Sequence, residues 1–212
     1  MARLRNPKAP NLPLSPATPD RQHMDQFANA LRLYFNQLDT VNQAVLNTAG
    51  GSNLNFPYAA IQRTTDLTFT ANTPTQVTFD QNDYLNGCMN DGTDGIHVEY
   101  AGIYNYQFSV QLRNSDTQIH SAWIWLRVNG IDVAGTGSKF DVISSHGGVD
   151  GFVIAACNFY VSLNAGDYVE LYAAVDNVAV TFDATAASTS PFAMPLIPSV
   201  VATLSFVSSL PT

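Results

Sequence analysis

The chain has 212 residues, 46% of them hydrophobic and 11% aromatic, enough to enclose one sizeable core. Only 12% are charged and the net charge is −8, whereas a nucleic-acid binder needs a dense Lys/Arg surface to neutralise phosphates, so that class is excluded. No stretch approaches ~18 uninterrupted apolar residues, and no membrane insertion is expected.

Charge is unevenly divided. Residues 1–50 carry five basic and three acidic groups, a net of +2, and residues 51–212 carry four basic and fourteen acidic groups, a net of −10. The first twenty residues hold Arg3, Arg5 and Lys8 and prolines at 7, 10, 13, 16 and 19, with no apolar h-region, so no secretory signal peptide is expected. Proline every third residue predicts an extended, polyproline-II-like arm over 1–18. Such an arm has no core of its own. It is a linker or a peptide that docks on another protein, with Arg3, Arg5 and Lys8 for charge and Leu12 and Leu14 as apolar anchors.

A helix is expected over 19–50. Thr18 offers an N-cap, Pro19 suits the first turn, Asp20 and Asp25 favour the positive end of the dipole, and Gly50-Gly51 ends the helix. Met24, Phe27, Leu31, Tyr34, Leu38, Val41 and Val45 recur at spacings of three and four, an unbroken heptad seam. Leu33, Phe35 and Leu46 widen the apolar face. The seam predicts a trimeric coiled-coil stalk; an amphipathic helix packed on its own domain has the same spacing.

From about residue 56 the period is two. Leu67-Thr-Phe-Thr and Gln76-Val-Thr-Phe predict two short strands about an Asn-Thr-Pro turn. A long alternation follows from Gly102 to Arg113. Ser121–Val128 leads into Asn129-Gly130, a strong hairpin signal, and Val133 resumes a strand. Gly151–Leu163 is the next long strand, turned by Asn164-Ala-Gly-Asp167 into Tyr168–Val175, and the last runs from Val200 to Val207. Eight to ten strands with turn chemistry between them predict a mainly β protein, an antiparallel jelly-roll sandwich over 56–212.

Ala101-Gly-Ile-Tyr-Asn-Tyr-Gln-Phe108, Leu126-Arg-Val-Asn-Gly130, Val161-Ser-Leu-Asn-Ala-Gly-Asp-Tyr-Val169 and a closing strand ending in Leu204-Ser-Phe206 stand in the order of the C1q/TNF-like jelly-roll domain, which residues 56–212 resemble. The resemblance implies a tight homotrimer with aromatic residues packed about the threefold; Tyr104, Tyr106 and Phe108 are the candidates, with Trp123 or Trp125 on a neighbouring strand. Pro10-Asn-Leu-Pro-Leu-Ser-Pro16, Met24-Asp-Gln-Phe27 and Leu31-Arg-Leu-Tyr-Phe-Asn-Gln-Leu38 resemble the opening of small virion proteins of tailed bacteriophages, notably those of cyanobacteria and marine bacteria. That likeness implies a particle-attached N-terminus, with residues 1–50 meeting other virion proteins of the capsid or tail, and assembly in the host cytoplasm.

An enzyme is not expected. There is no GxSxG, HExxH, P-loop or GxGxxG, and Gly135-Thr-Gly137 lacks a third glycine. His23, His97, His120 and His146 have no ligand-like spacing, so no metal and no cofactor is expected. His97 and Glu99 read as a surface pair. Asn90-Asp-Gly-Thr-Asp-Gly95 is a solvated Asx/Gly turn or a Ca²⁺ loop outside the EF-hand pattern. Cys88 and Cys157 are two small thiols or one disulfide. The expected function is a short fibre or spike whose head meets a host surface glycan or protein. The alternatives are a capsid decoration protein and a soluble lectin-like module. The stretches 184–198 and 137–150 are the candidate tips.

Overall fold

The chain divides into two units, Met1–Asn55 and Phe56–Thr212. The computed structural model describes residues 8–14, 20–46, 56–90, 92, 93 and 95–210. In the first unit the helix α1 spans Arg21–Leu46. Its cap is Asp20: the carboxylate Oδ1 accepts the His23 N–H at 2.6 Å, the bond that satisfies a free first-turn amide. Aspartate here both caps and places negative charge at the positive end of the dipole, so the expected Thr18 cap is superseded. Thr18 and Pro19, and the Gly50-Gly51 stop, lie outside the described residues. Phe27, Leu31, Tyr34, Leu38 and Val41 are half-buried, whereas Met24, Leu33 and Phe35 are exposed. The Val45 side chain lies outside the described residues. In the arm, Lys8 and Leu12 are exposed and Leu14 is 93% exposed; Arg3 and Arg5 lie outside the described residues.

The second unit is built from thirteen strands among the described residues. They are β1 (Tyr58–Arg63), β2 (Thr75–Val77), β3 (Gln81–Asn86), β4 (Cys88–Asn90), β5 (Ile96–Val98), β6 (Gly102–Asn114), β7 (His120–Val128), β8 (Ile131–Asp132), β9 (Ser138–Val142), β10 (Gly151–Leu163), β11 (Tyr168–Val175), β12 (Val180–Phe182) and β13 (Val200–Ser208). One sheet has the order β10-β6-β13-β1-β3, with β12 also on β6. The other has the order β4-β5-β11-β7-β8, with β2 on β11 and β9 on β7. All pairs are antiparallel, and sequence neighbours repeatedly fall in opposite sheets, which is a jelly-roll sandwich.

Several local expectations change. Leu67 makes only an isolated bridge to Phe182 at the end of β12; β2 alone is formed from the two segments expected there. The strands β1, β3, β4 and β5 arise where no clear alternation marks them. β8 is Ile131–Asp132, and Val133 adds a single backbone bond to Leu126 before the chain turns. The hairpin itself forms with Asn129 at φ 51° and Gly130 at φ 77°, the left-handed pair that a two-residue turn requires. Asn129 also ties this turn to the next one, donating to Asp167 Oδ1 at 2.8 Å and accepting the Tyr168 N–H at 3.0 Å.

Alternate residues of both sheets meet inside. Tyr104, Tyr106, Val110 and Leu112 of β6 pack with Val200, Ala202 and Leu204 of β13 and Ile61 of β1, facing Ile124 and Leu126 of β7 and Leu171 of β11. Gly102 opens β6 because a Cβ there would lie 2.4 Å from the Phe206 ring and 2.8 Å from the Ser208 carbonyl oxygen. The sandwich has two ends. Phe56 enters at the end that carries Asn129-Gly130 and the 164–167 turn. The connections 115–119, 143–150, 176–179 and 183–199 lie at the opposite end, as the strand registers require.

Two buried hydroxyls differ. The Tyr104 hydroxyl donates to the Tyr100 carbonyl at 2.7 Å, while the Tyr106 hydroxyl has no partner among the described residues. In urea unfolding, Tyr106→Phe should leave stability unchanged or raise it by about 1 kcal/mol, and Tyr104→Phe should lower it by about 1 kcal/mol. Equal losses would show that Tyr106 has found an acceptor. Cys88 and Cys157 are both free thiols, on different sheets. Burial, and then the Glu99 charge, push the Cys88 thiol from 9.0 up to about 12. The unfolded chain ionises this group first, so stability present below pH 9 is lost as pH rises toward 12. Burial also pushes Tyr104 up to about 12, in the same direction. The urea midpoint should therefore fall on going from pH 9 to about pH 11, and should fall less in Cys88→Ser. A parallel fall in both proteins would place the alkaline weakness elsewhere.

Candidate interaction faces

Strand parity decides what each sheet offers to other molecules. Outward from the first sheet point Ile103, Asn105, Gln107, Ser109, Gln111 and Arg113 of β6, and Phe152, Ile154, Ala156, Asn158, Tyr160 and Ser162 of β10. Val201, Thr203 and Ser205 of β13 and Tyr58, Ala60 and Gln62 of β1 continue this face. β10 and β13 contain no charged residue, and β6 contains only Arg113. Phe152 (51%), Ile154 (64%) and Tyr160 (68%) are exposed. Between them Ser109, Ala156, Val201 and Thr203 line a shallow depression of about 500 Å³. The result is a nearly charge-free face with small residues at its middle, amides such as Gln107 and Asn158 beside them, and large apolar residues exposed along β10.

Tyr104, Tyr106 and Phe108 do not belong to this face. They are 0%, 0% and 3% exposed within a single chain and fill the sandwich core. The expectation that they meet a neighbouring protomer is corrected, because pairing with β10 and β13 turns the even positions of β6 inward. Trp123 and Trp125 are on β7 in the other sheet and point outward there, so the structure does not bring them to those three residues. The residues that do lie outward, Phe152, Ile154 and Tyr160, were legible in one respect. Gly151–Leu163 has apolar residues at both parities, which is the pattern of a strand covered on both faces.

The second sheet presents a different surface. Trp125 lies opposite Tyr172 of β11, and Trp123 lies between Ala174 of β11 and Lys139 of β9. The Arg127 guanidinium stacks 3.8 Å above the Tyr172 ring centre. Its Nε donates to Asp132 Oδ1 at 2.5 Å, and the Trp125 indole N–H donates to the same oxygen at 2.7 Å. These bonds, Arg127 first, hold the Asp132 carboxyl below the usual carboxylate range.

The end opposite Phe56 gathers ion pairs. Arg113 bridges Asp150 at 2.5 Å and Asp183 at 3.3 Å. The His120 ring reaches Asp116 at 2.9 Å and Asp176 at 3.5 Å, and the His120 bond leads the causes that lower the Asp116 carboxyl. The 184–198 stretch folds into a tongue through the bridges Thr185–Ile197 and Ser188–Met194, with Phe192 exposed. In the 137–150 stretch, residues 138–142 are strand β9 and only the remainder is loop. In the 90–95 loop the Asn90 side-chain oxygen accepts the Gly92 N–H at 3.2 Å and its amide donates to Asn82 at 2.6 Å, an Asx turn; Asp91 and Asp94 lie outside the described residues. Among the described residues no three His, Cys, Asp or Glu side chains are gathered as metal ligands, and no helix is long and apolar enough to cross a membrane.

No family model and no curated protein matches the chain. Among solved structures, it is similar to the Eiger TNF from S. frugiperda at 15% identity, covering 75% of this chain and 97% of that one, with a TM-score of 0.48. It is also similar to the globular domain of the zebrafish complement 1qA protein at 12% identity, covering 73% of this chain and 99% of that one, with a TM-score of 0.42. The jelly-roll assignment stands on the strand order of this chain itself.

Proposed function

We propose that the chain is a non-enzymatic structural protein of a bacteriophage virion. Three copies associate through the nearly charge-free outer face of the first sheet. The N-terminal arm attaches the trimer to the particle, and the jelly-roll head projects as a short fibre or spike toward the host surface. Assembly takes place in the host cytoplasm.

The observation that carries the self-association is the outer face of β10, β6, β13 and β1. Four strands of 6 to 13 residues, at ~4.8 Å between strands and ~3.3 Å per residue, give a face on the order of 650 Å², approaching the ~800 Å² per partner of a standard interface. Burying Phe152, Ile154 and Tyr160 there is favourable at ~25 cal/mol per Å² of apolar area, and no uncompensated charge opposes it. The α1 seam supports a three-stranded stalk in the same assembly. The exposed Lys8, Leu12 and Leu14, with Arg3 and Arg5 beside them in sequence, suit an arm that docks on an acidic particle surface.

Light scattering should find a trimer of the full chain. Ile154→Asp should convert it to smaller species with little change in the head's melting temperature, since the side chain is already solvated in the single chain. A trimer untouched by Ile154→Asp would move the interface elsewhere. The particle role is tested by gold labelling of virions with an antibody against residues 56–212, alongside a deletion of residues 1–19. Tail label supports the spike, capsid label makes the protein a decoration protein, and unlabelled particles end the virion reading. The deletion should fold and fail to incorporate.

A further inference from the structure

We infer that the outer face of the second sheet at Trp123, Trp125 and Tyr172 is a carbohydrate-binding platform that takes a neutral pyranose against the exposed Trp123 indole. It deepens the host-contact reading by naming the chemistry of what the head touches.

Three aromatic side chains stand on one side of adjacent strands. Trp125 and Tyr172 have ring centres 6.0 Å apart at 35°, and Trp123 is 38% exposed, with the small Ala174 beside it on β11 and Lys139 on β9. The edges of a sugar's C–H bonds carry partial positive charge and suit the negative face of such rings. Hydrogen-bonding groups ring the platform with both polarities: the Lys139 ammonium, 5.9 Å from the Trp123 ring centre, and the Asp141 and Asp132 carboxylates. A few polar groups around an aromatic floor is the composition of a small-ligand site.

The charges decide against other ligand classes. Arg127 already occupies the Tyr172 ring face and Lys139 stands by Trp123, so the positions where a cationic ligand would stack on these rings are already filled. Both cations are paired, Arg127 with Asp132 and Lys139 with Asp141 at 2.9 Å, so the face has no free positive field for phosphate or sulfate polymers. The Trp125 and Arg127 bonds to Asp132 hold the floor rigid before any ligand arrives, which reduces the ordering cost of binding. Self-association through the first sheet leaves this opposite face free, and three copies per trimer would add avidity.

The test is direct because Trp123 and Trp125 are the chain's two tryptophans, so its indole fluorescence reports on this face alone. The full-length protein is applied to an array of neutral polysaccharides, namely dextran, galactomannan, chitin oligomers and bacterial O-polysaccharides. Any hit is titrated in solution by tryptophan emission. Binding with an emission shift is expected, with a loss of about tenfold or more in Trp123→Ala and near-complete retention in Trp123→Tyr. Trimer mass and melting temperature are checked in each variant. No binding across the array, binding that Trp123→Ala leaves intact, or binding confined to sulfated polymers and removed by salt would each overturn the inference. Particle labelling is read separately, so a failed platform leaves virion attachment standing.

Discussion

Strand β6 is held on both edges. It pairs with β10 over thirteen residues on one side and with β13 and β12 on the other. A one-residue slip would move every side chain to the opposite face, exposing Tyr104, Tyr106 and Phe108 and burying Gln107 and Gln111. Such a slip would expose three large aromatic side chains and bury polar amides without partners, so the parity of this strand is the constraint on which the sandwich rests. Everything the molecule can offer outward follows from it. On this sheet the even positions of β6 are consumed by the core, and contact with other molecules is left to the odd positions and to their neighbours on β10, β13 and β1.

The two outer faces are chemically unlike. The first sheet presents uncharged amides and hydroxyls interspersed with apolar side chains, with Arg113 at its margin drawn away into Asp150 and Asp183. The second presents aromatic rings braced by paired charges. A face with a single, paired charge suits a copy of itself, because no like charges repel and its amides can pair across the contact. A braced aromatic face suits a polar ligand with apolar edges. On the proposed reading each sheet has a separate role, and neither role needs the sandwich to deform.

The long strands were legible in the sequence because both the period and the turn chemistry were strong. Asn129-Gly130 and Asn164–Asp167 carry their turns in their own side-chain bonds, the segment 102–113 alternates, and 151–163 and 168–175 are long apolar runs bounded by turns. Short strands such as β3 and β4 were not, because Gln81–Asn90 is polar and paired mainly at a sheet margin, where packing adds little pattern. The Tyr104-Tyr106-Phe108 stripe was visible, but its destination was misjudged. An aromatic stripe has the same spacing whether it faces a core or a partner, and the better discriminator was the polar set at 105, 107, 109 and 111. The platform was missed as a unit because Trp123, Lys139 and Tyr172 come together only through the β9-β7-β11 pairing, which local periodicity does not specify.

The edge of the first sheet sharpens the case for self-association. β10 ends that sheet and pairs only with β6 among the described strands. An edge strand of thirteen residues is a template for unwanted pairing, and natural proteins blunt such edges with lysine, proline, bulges or a covering element. β3, at the far edge, has two of these devices: Asp83, which accepts from the Gln62 amide, and a register break opposite Ala60 and Ile61. β10 has no charge, no proline and no register break against β6. Its outward side chains, Phe152, Ile154 and Tyr160, are apolar as well. A strand left unguarded at its edge and apolar on its outer face is stable in water when something covers it. A threefold arrangement of the same face covers all three copies at once and closes, whereas an open chain of contacts would aggregate.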